Sequence, residues 1–190
     1  QITGATRKDL QGLKNTVDSL ARSLGQDANE ILEISQIFAQ TGQSIRQIKA
    51  SITAVARSSL APTFGEMKDT AEGLIAALNQ FGIAASESEA VLGSLNRVSK
   101  KFAVESQDII AAIRRAGGVF AITTRDFEKP IDSLNQFIAV FTAVRSTTRE
   151  SAETIATGLR TIFTRLQRRG TIQMLDELGI KLTDTEGKFV

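Results

Sequence analysis

From Leu10 to Leu178 the apolar residues of this chain recur at intervals of three and four, in bursts separated by glycine or by a polar residue of the kind that starts helices. That spacing gives each successive segment one apolar helical stripe and leaves little of the chain to alternate as a strand. The first burst, Leu10, Leu13, Val17, Leu20 and Leu24, steps by 3, 4, 3 and 4, an a/d seam that Gly25 can end. Capping-box spacing recurs at Asp27/Glu30, Ser44/Gln47, Thr63/Glu66, Ser86/Glu89 and Thr147/Glu150, each ahead of another stripe. Pro130 falls where a missing N–H costs least, in the first turn of a helix carrying Phe127, Ile131, Leu134, Ile138 and Phe141. A short helix over Ile172–Leu178 ends at Gly179.

Only the tail changes period. Ile180 and Leu182 alternate with polar residues, Thr183 to Gly187 reads as a turn, and Phe189-Val190 returns. The expectation is therefore an all-α chain: a multi-helix bundle of about eight helices, with an N-terminal coiled-coil-like segment and a small C-terminal β-hairpin. Residues 1–25 form the coiled-coil-like helix, the stub of a longer rod; 26–179 form the helical core region; 180–190 form the hairpin, truncated. The chain begins at Gln1 rather than Met, which reads as a piece of a longer protein. The tetrapeptide Leu78-Asn79-Gln80-Phe81 returns as Leu134-Asn135-Gln136-Phe137, by internal duplication or by chance.

Composition removes several chemistries. The 190 residues contain no His, Cys, Trp or Tyr, so the commonest general base, thiolate ligands and a Ser-His-Asp triad are missing. The net charge of +2 implies no global polyanionic partner. No apolar run approaches the ~20 residues of a membrane span, and Gln1 to Arg7 lacks a signal-peptide pattern. The carboxylate pairs Asp126/Glu128 and Glu150/Glu153 lie near helix starts, where they suit the macrodipole.

Two features stand apart. Gly117-Gly118 follow Arg114-Arg115 at the end of a helical pattern, the wrong polarity for a phosphate loop, and read as a helix stop or a close helix–helix approach. Arginines also crowd the segment from Arg145 to Arg169. The candidate face for nucleic acid or for a partner is Arg114, Arg115, Arg160, Arg165, Arg168 and Arg169, weighed against an ordinary solvated helix face. No catalytic, cofactor-binding or metal-binding residue is assigned.

The run Phe38-Ala39-Gln40-Thr41-Gly42-Gln43-Ser44, then FGIAASESEAVLGSLNRVSKKFAVESQDIIAAIRRAGGVF, then GLRTIFTRLQRRGTIQMLDELGIKLTDTEGKF, resembles in this order the core region of tailed-phage tail tape measure proteins, over Ala28 to Val190. It departs from the usual pattern at Gly118, where a residue such as Ala is common, and at Pro130. The resemblance implies a structural protein that sets tail length inside the tail tube and leaves ahead of the DNA at ejection. It implies no catalysis and no cofactor in this region. Partners would be tail tube and tail tip or baseplate proteins, further copies of the chain in a homo-oligomer, tail assembly chaperones, and the host membrane at ejection. The place implied is the virion, inside the phage tail, after assembly in the host cytoplasm. The residues alone keep two rivals open: a membrane-active helical module for genome delivery, and a DNA-binding helical bundle.

Overall fold

A computed structural model describes residues 6–125 and 129–189. Ten α-helical segments follow one another: α1 (Arg7–Leu24), α2 (Ala28–Gln40), α3 (Ile45–Ser58), α4 (Met67–Phe81), α5 (Ser88–Phe102), α6 (Ser106–Ala112), α7 (Gly118–Thr124), α8 (Pro130–Thr148), α9 (Ala152–Leu166) and α10 (Arg169–Glu177). A π-helical turn, Ile113–Gly117, joins α6 to α7 without a break, and a 3-10 turn, Ala85–Glu87, leads into α5.

The helices begin where local chemistry allows. Thr6 and Asp9 form a reciprocal capping box on α1, with the Asp9 N–H donating to Thr6 Oγ1 at 3.2 Å and the Thr6 N–H to Asp9 Oδ2 at 3.1 Å. The Thr6 hydroxyl and amide hold the Asp9 carboxyl below its ordinary value of 3.8. Ser44 and Gln47 form the box expected of them on α3. Asp27 caps α2 through the Asn29 N–H, without Glu30 completing a box. Pro130 occupies the first turn of α8. Phe127 and the pair Asp126/Glu128 lie outside the described residues.

Three expected caps are spent differently. Thr63 lies ahead of α4, which starts from Glu66, and serves α6 instead: its carbonyl accepts the Ser106 N–H and its hydroxyl the Ser106 hydroxyl, both at 3.1 Å. Ser86 sits inside the 3-10 turn. Thr147 lies within α8, donating to the Ala143 carbonyl, and Ser151 caps α9 in its place.

The apolar stripes close on one core running from Leu13 to Leu159. The α1 seam enters it through Leu13, Val17 and Leu20, packed on α2 and α3, while Leu10 stays 47% exposed. A chain of rings crosses the second half: Phe81 to Phe137 at 6.1 Å between centroids, Phe137 to Phe120 at 5.5 Å, and Phe120 edge-on to Phe163 at 4.9 Å. Phe81 and Phe137 close the two copies of the repeated tetrapeptide, so the copies face each other across α4 and α8.

The C-terminal β-hairpin is not formed. Among the described residues there is no strand, and the tail holds a single antiparallel bridge between Thr183 and Phe189. The Asp184 carboxylate captures the N–H groups of Glu186 and Lys188 at 2.8 and 2.9 Å, closing a tight turn around one side chain. A two-stranded hairpin is marginal in water; here Ile180 is half exposed, while Leu182 and Phe189, half-buried, lie beside Phe120, Phe163 and Leu166 without pairing into strands. The fold is all-α, and Val190 lies outside the described residues.

Candidate functional site

The helix carrying Arg114 and Arg115 does not stop at the glycine pair. After Ala112 it widens into the π turn and continues through Gly118 to Thr124, with Gly117 and Gly118 both in right-handed helical geometry. Of the two expectations for the pair, the helix stop is overturned and the close approach is found, at one residue only. A Cβ at Gly117 would lie 2.6 Å from Gln80 Oε1 and 2.9 Å from Phe81 Cε2, whereas one at Gly118 would meet nothing nearer than 3.6 Å.

The facing helix shows the reciprocal feature. Gly73 of α4 leaves a notch that the Ile110 side chain fills. Ile110 enters α4 at Gly73, and Phe81 enters the α6–α7 helix at Gly117, so the two helices run parallel with paired notches two turns apart. The π turn, Ile113–Gly117, ends at the second notch. Its Arg114 carbonyl accepts a hydrogen bond from Gln80 Nε2 at 3.3 Å, a partner outside its own helix.

The six arginines divide into two groups. Arg114 pairs with Glu72 of α4, and Arg115 donates to Thr157 of α9 at 2.9 Å. Both clamp the π turn to a neighbour. Arg160, Arg165, Arg168 and Arg169 are exposed and enter no ion pair among the described residues. The Arg115–Thr157 bond brings the first group to within one helical turn of Arg160, so the groups adjoin on α9. Nothing acidic interrupts the sequence from Thr154 to Leu175, which leaves their charge uncompensated. Arg145, in the same basic stretch, is bound to Asp108 at 3.2 Å.

The apolar stripe of α9 outruns the core beside these arginines. Ile155 and Leu159 are buried, but Ile162, one turn on, is 54% exposed. Helix α10 touches α9 and buries none of its own residues. The end of α9, the turn at Arg168 and α10 therefore present cations mixed with uncovered aliphatic side chains. Sequence reasoning gathered the arginines but not Ile162, Met174 and Leu178, because their spacing matches that of core residues.

This arrangement can attract anions and cover apolar surface. Among the described residues no three His, Cys, Asp or Glu side chains are grouped to hold a metal ion, and no helix is long and apolar enough to cross a membrane. Glu153 sits in the first turn of α9, where its charge suits the dipole.

Compared with known proteins, residues 14–190 match the model of a family described as phage-related minor tail protein. No solved structure matches the chain.

Proposed function

Because this chain belongs to the family of phage-related minor tail proteins, we propose that it forms the core region of a tail tape measure protein. Membership makes it a structural component of a phage tail, carried in the virion among other tail components. The finer reading is that the parent polypeptide lies within the tail tube, sets its length during assembly in the host cytoplasm, and departs ahead of the genome. The observation carrying this reading is the family match over residues 14–190, coincident with helices that bury most of their apolar stripes in one core.

Within the ruler, this region is the compact element. Length is written by continuous helix at ~1.5 Å per residue, and helices that turn back into one core do not add up in that way. The rod would join at α1, whose seam at Leu13, Val17 and Leu20 already docks on the bundle.

Electron microscopy of phage carrying in-frame deletions in the parent gene tests the reading. Removing whole heptads from the rod shortens tails by about 1.5 Å per residue; tails of unchanged length would refute the ruler. A second reading, contact with the genome, is favoured by the unpaired Arg160, Arg165, Arg168 and Arg169. It requires duplex affinity that falls steeply with salt and disappears in Arg165→Glu/Arg168→Glu.

A further inference from the structure

Helix α5 ends at Ala103 in the left-handed region, at φ 52° and ψ 43°. Helix α6 then starts from Glu105, whose side chain makes no capping hydrogen bond. Among the described residues the other left-handed positions are five glycines and Arg149, and Arg149 is followed by Ser151, which caps α9. The bend between α5 and α6 carries no such signal. No glycine or proline lies between Gly93 and Gly117, and the left-handed conformation is disfavoured for any residue with a Cβ.

What holds the bend is tertiary. The Thr63 hydroxyl donates to Asn96 of α5 at 3.4 Å and accepts from the Ser106 hydroxyl of α6 at 3.1 Å, while the Thr63 carbonyl accepts the Ser106 N–H. The Ser99 and Ser106 hydroxyls lie 2.8 Å apart across the bend, and Val104 is buried within it. Both arms pack on α4. Their apolar stripes are nevertheless in phase as though no bend existed. Val91 and Ile109, Leu92 and Ile110, Leu95 and Ile113, and Phe102 and Phe120 are each 18 residues apart, and that interval is about five turns of α-helix. The bundle does not use this phasing fully, since Phe120 is buried and Phe102 is 43% exposed.

We infer that α5, α6 and α7 are the bent form of one helix. When the contacts at Thr63 and Val104 are released, Ala103 passes into right-handed geometry and Ser88–Thr124 becomes continuous, with a single apolar stripe along its length. Burial of both arms keeps the joint bent in the closed bundle. Straightening takes one arm off α4, so the joint opens only as the bundle opens. In the straight helix Val104 follows Arg97 by seven residues and Lys100 by four, on the polar face. The inference concerns the conformation of this chain and stands apart from the tail-length reading.

The chain has no cysteine of its own, so spin labels at A90C and I122C, both exposed positions, read the joint in the full chain by double electron–electron resonance. With the native joint, one short distance is expected; the continuous helix separates the labels by about 48 Å. V104E places a carboxylate at the buried anchor of the bent form but one turn from Lys100 in the straight one, and populates the long distance. In the V104E background, A103V raises that population, and A103G, which suits the left-handed bend and weakens the helix, lowers it by about tenfold. S99A/S106A cuts the hydroxyl chain without burying a charge and gives the same long distance at smaller population. Absence of the long distance from both V104E and S99A/S106A overturns the inference, whether the variants stay bent or unfold to a broad distribution. So does a long distance that A103G leaves unchanged.

Discussion

A methyl group added at Gly117 would press on Gln80 Oε1 and on the rim of the Phe81 ring; the same group at Gly118 would make ordinary contacts with Gln80 at 3.6 Å and beyond. Neither glycine needs a left-handed backbone, since both have negative φ near −60°. Gly117→Ala is therefore expected to cost about 1–3 kcal/mol by overpacking, and Gly118→Ala to gain about 0.5–1 kcal/mol from helix propensity. Urea unfolding of the two variants checks both signs. In sequence the doublet is two identical letters, and what separates them is which one faces α4. That facing depends on the π turn, which rotates everything after Arg114 and carries no local signature. Ala103 is a parallel case. It ends α5 at φ 52°, a conformation unfavourable for a side chain, with no glycine to announce the break. Ala103→Gly should stabilise the protein by about 1 kcal/mol in the same measurement.

At the scale of elements, signals worked where both partners lie within one turn. Ser44 and Gln47 satisfy each other without reference to the remainder of the chain, and Ser44→Ala should cost about 1 kcal/mol in thermal unfolding. Thr63 failed as a cap because Ser106, far away in sequence, competes for it, and no window of a few residues contains both. The box on α1 makes a pH-dependent prediction. The carboxyl of Asp9 is held below 3.8 in the folded protein, so its contribution is present above the unfolded value and lost as pH falls through the folded one. Amide exchange in the first turn of α1 should accelerate, relative to α3, once pH drops below the ordinary carboxylate range. Alternation in the tail was a true pattern with a false consequence, since Ile180 and Leu182 found no second sheet surface and Asp184 closed the turn alone.

For the molecule as a whole, the helical class and most of the core were legible, because an amphipathic stripe must be buried somewhere. Leu134, Ile138 and Phe141 were all on a predicted stripe and are buried. The limit of the core was not legible: Ile155, Leu159 and Ile162 are equivalent in spacing, and only assembly decides that the third is left outside. The candidate basic face was legible as composition, but its division into clamping and unpaired arginines needed Glu72 and Thr157 in place. Stability should be graded accordingly. Hydrogen exchange at neutral pH in dilute protein is expected to protect Ile109–Ile113 near the level of global unfolding, and to exchange α10 by local opening.

That grading gives the polypeptide a direction. Among the described residues beyond Leu159 no side chain is buried, whereas at the other end Leu13 already is. Under tension applied to the two termini, the stretch after Leu159 would peel away under weak load, and the extension would then halt until the bundle ruptured. Tethered at the front instead, α1 would resist almost at once. A pull on the residues after Leu159 would thus meet little resistance before the core is loaded, and a pull on α1 would load the core at once.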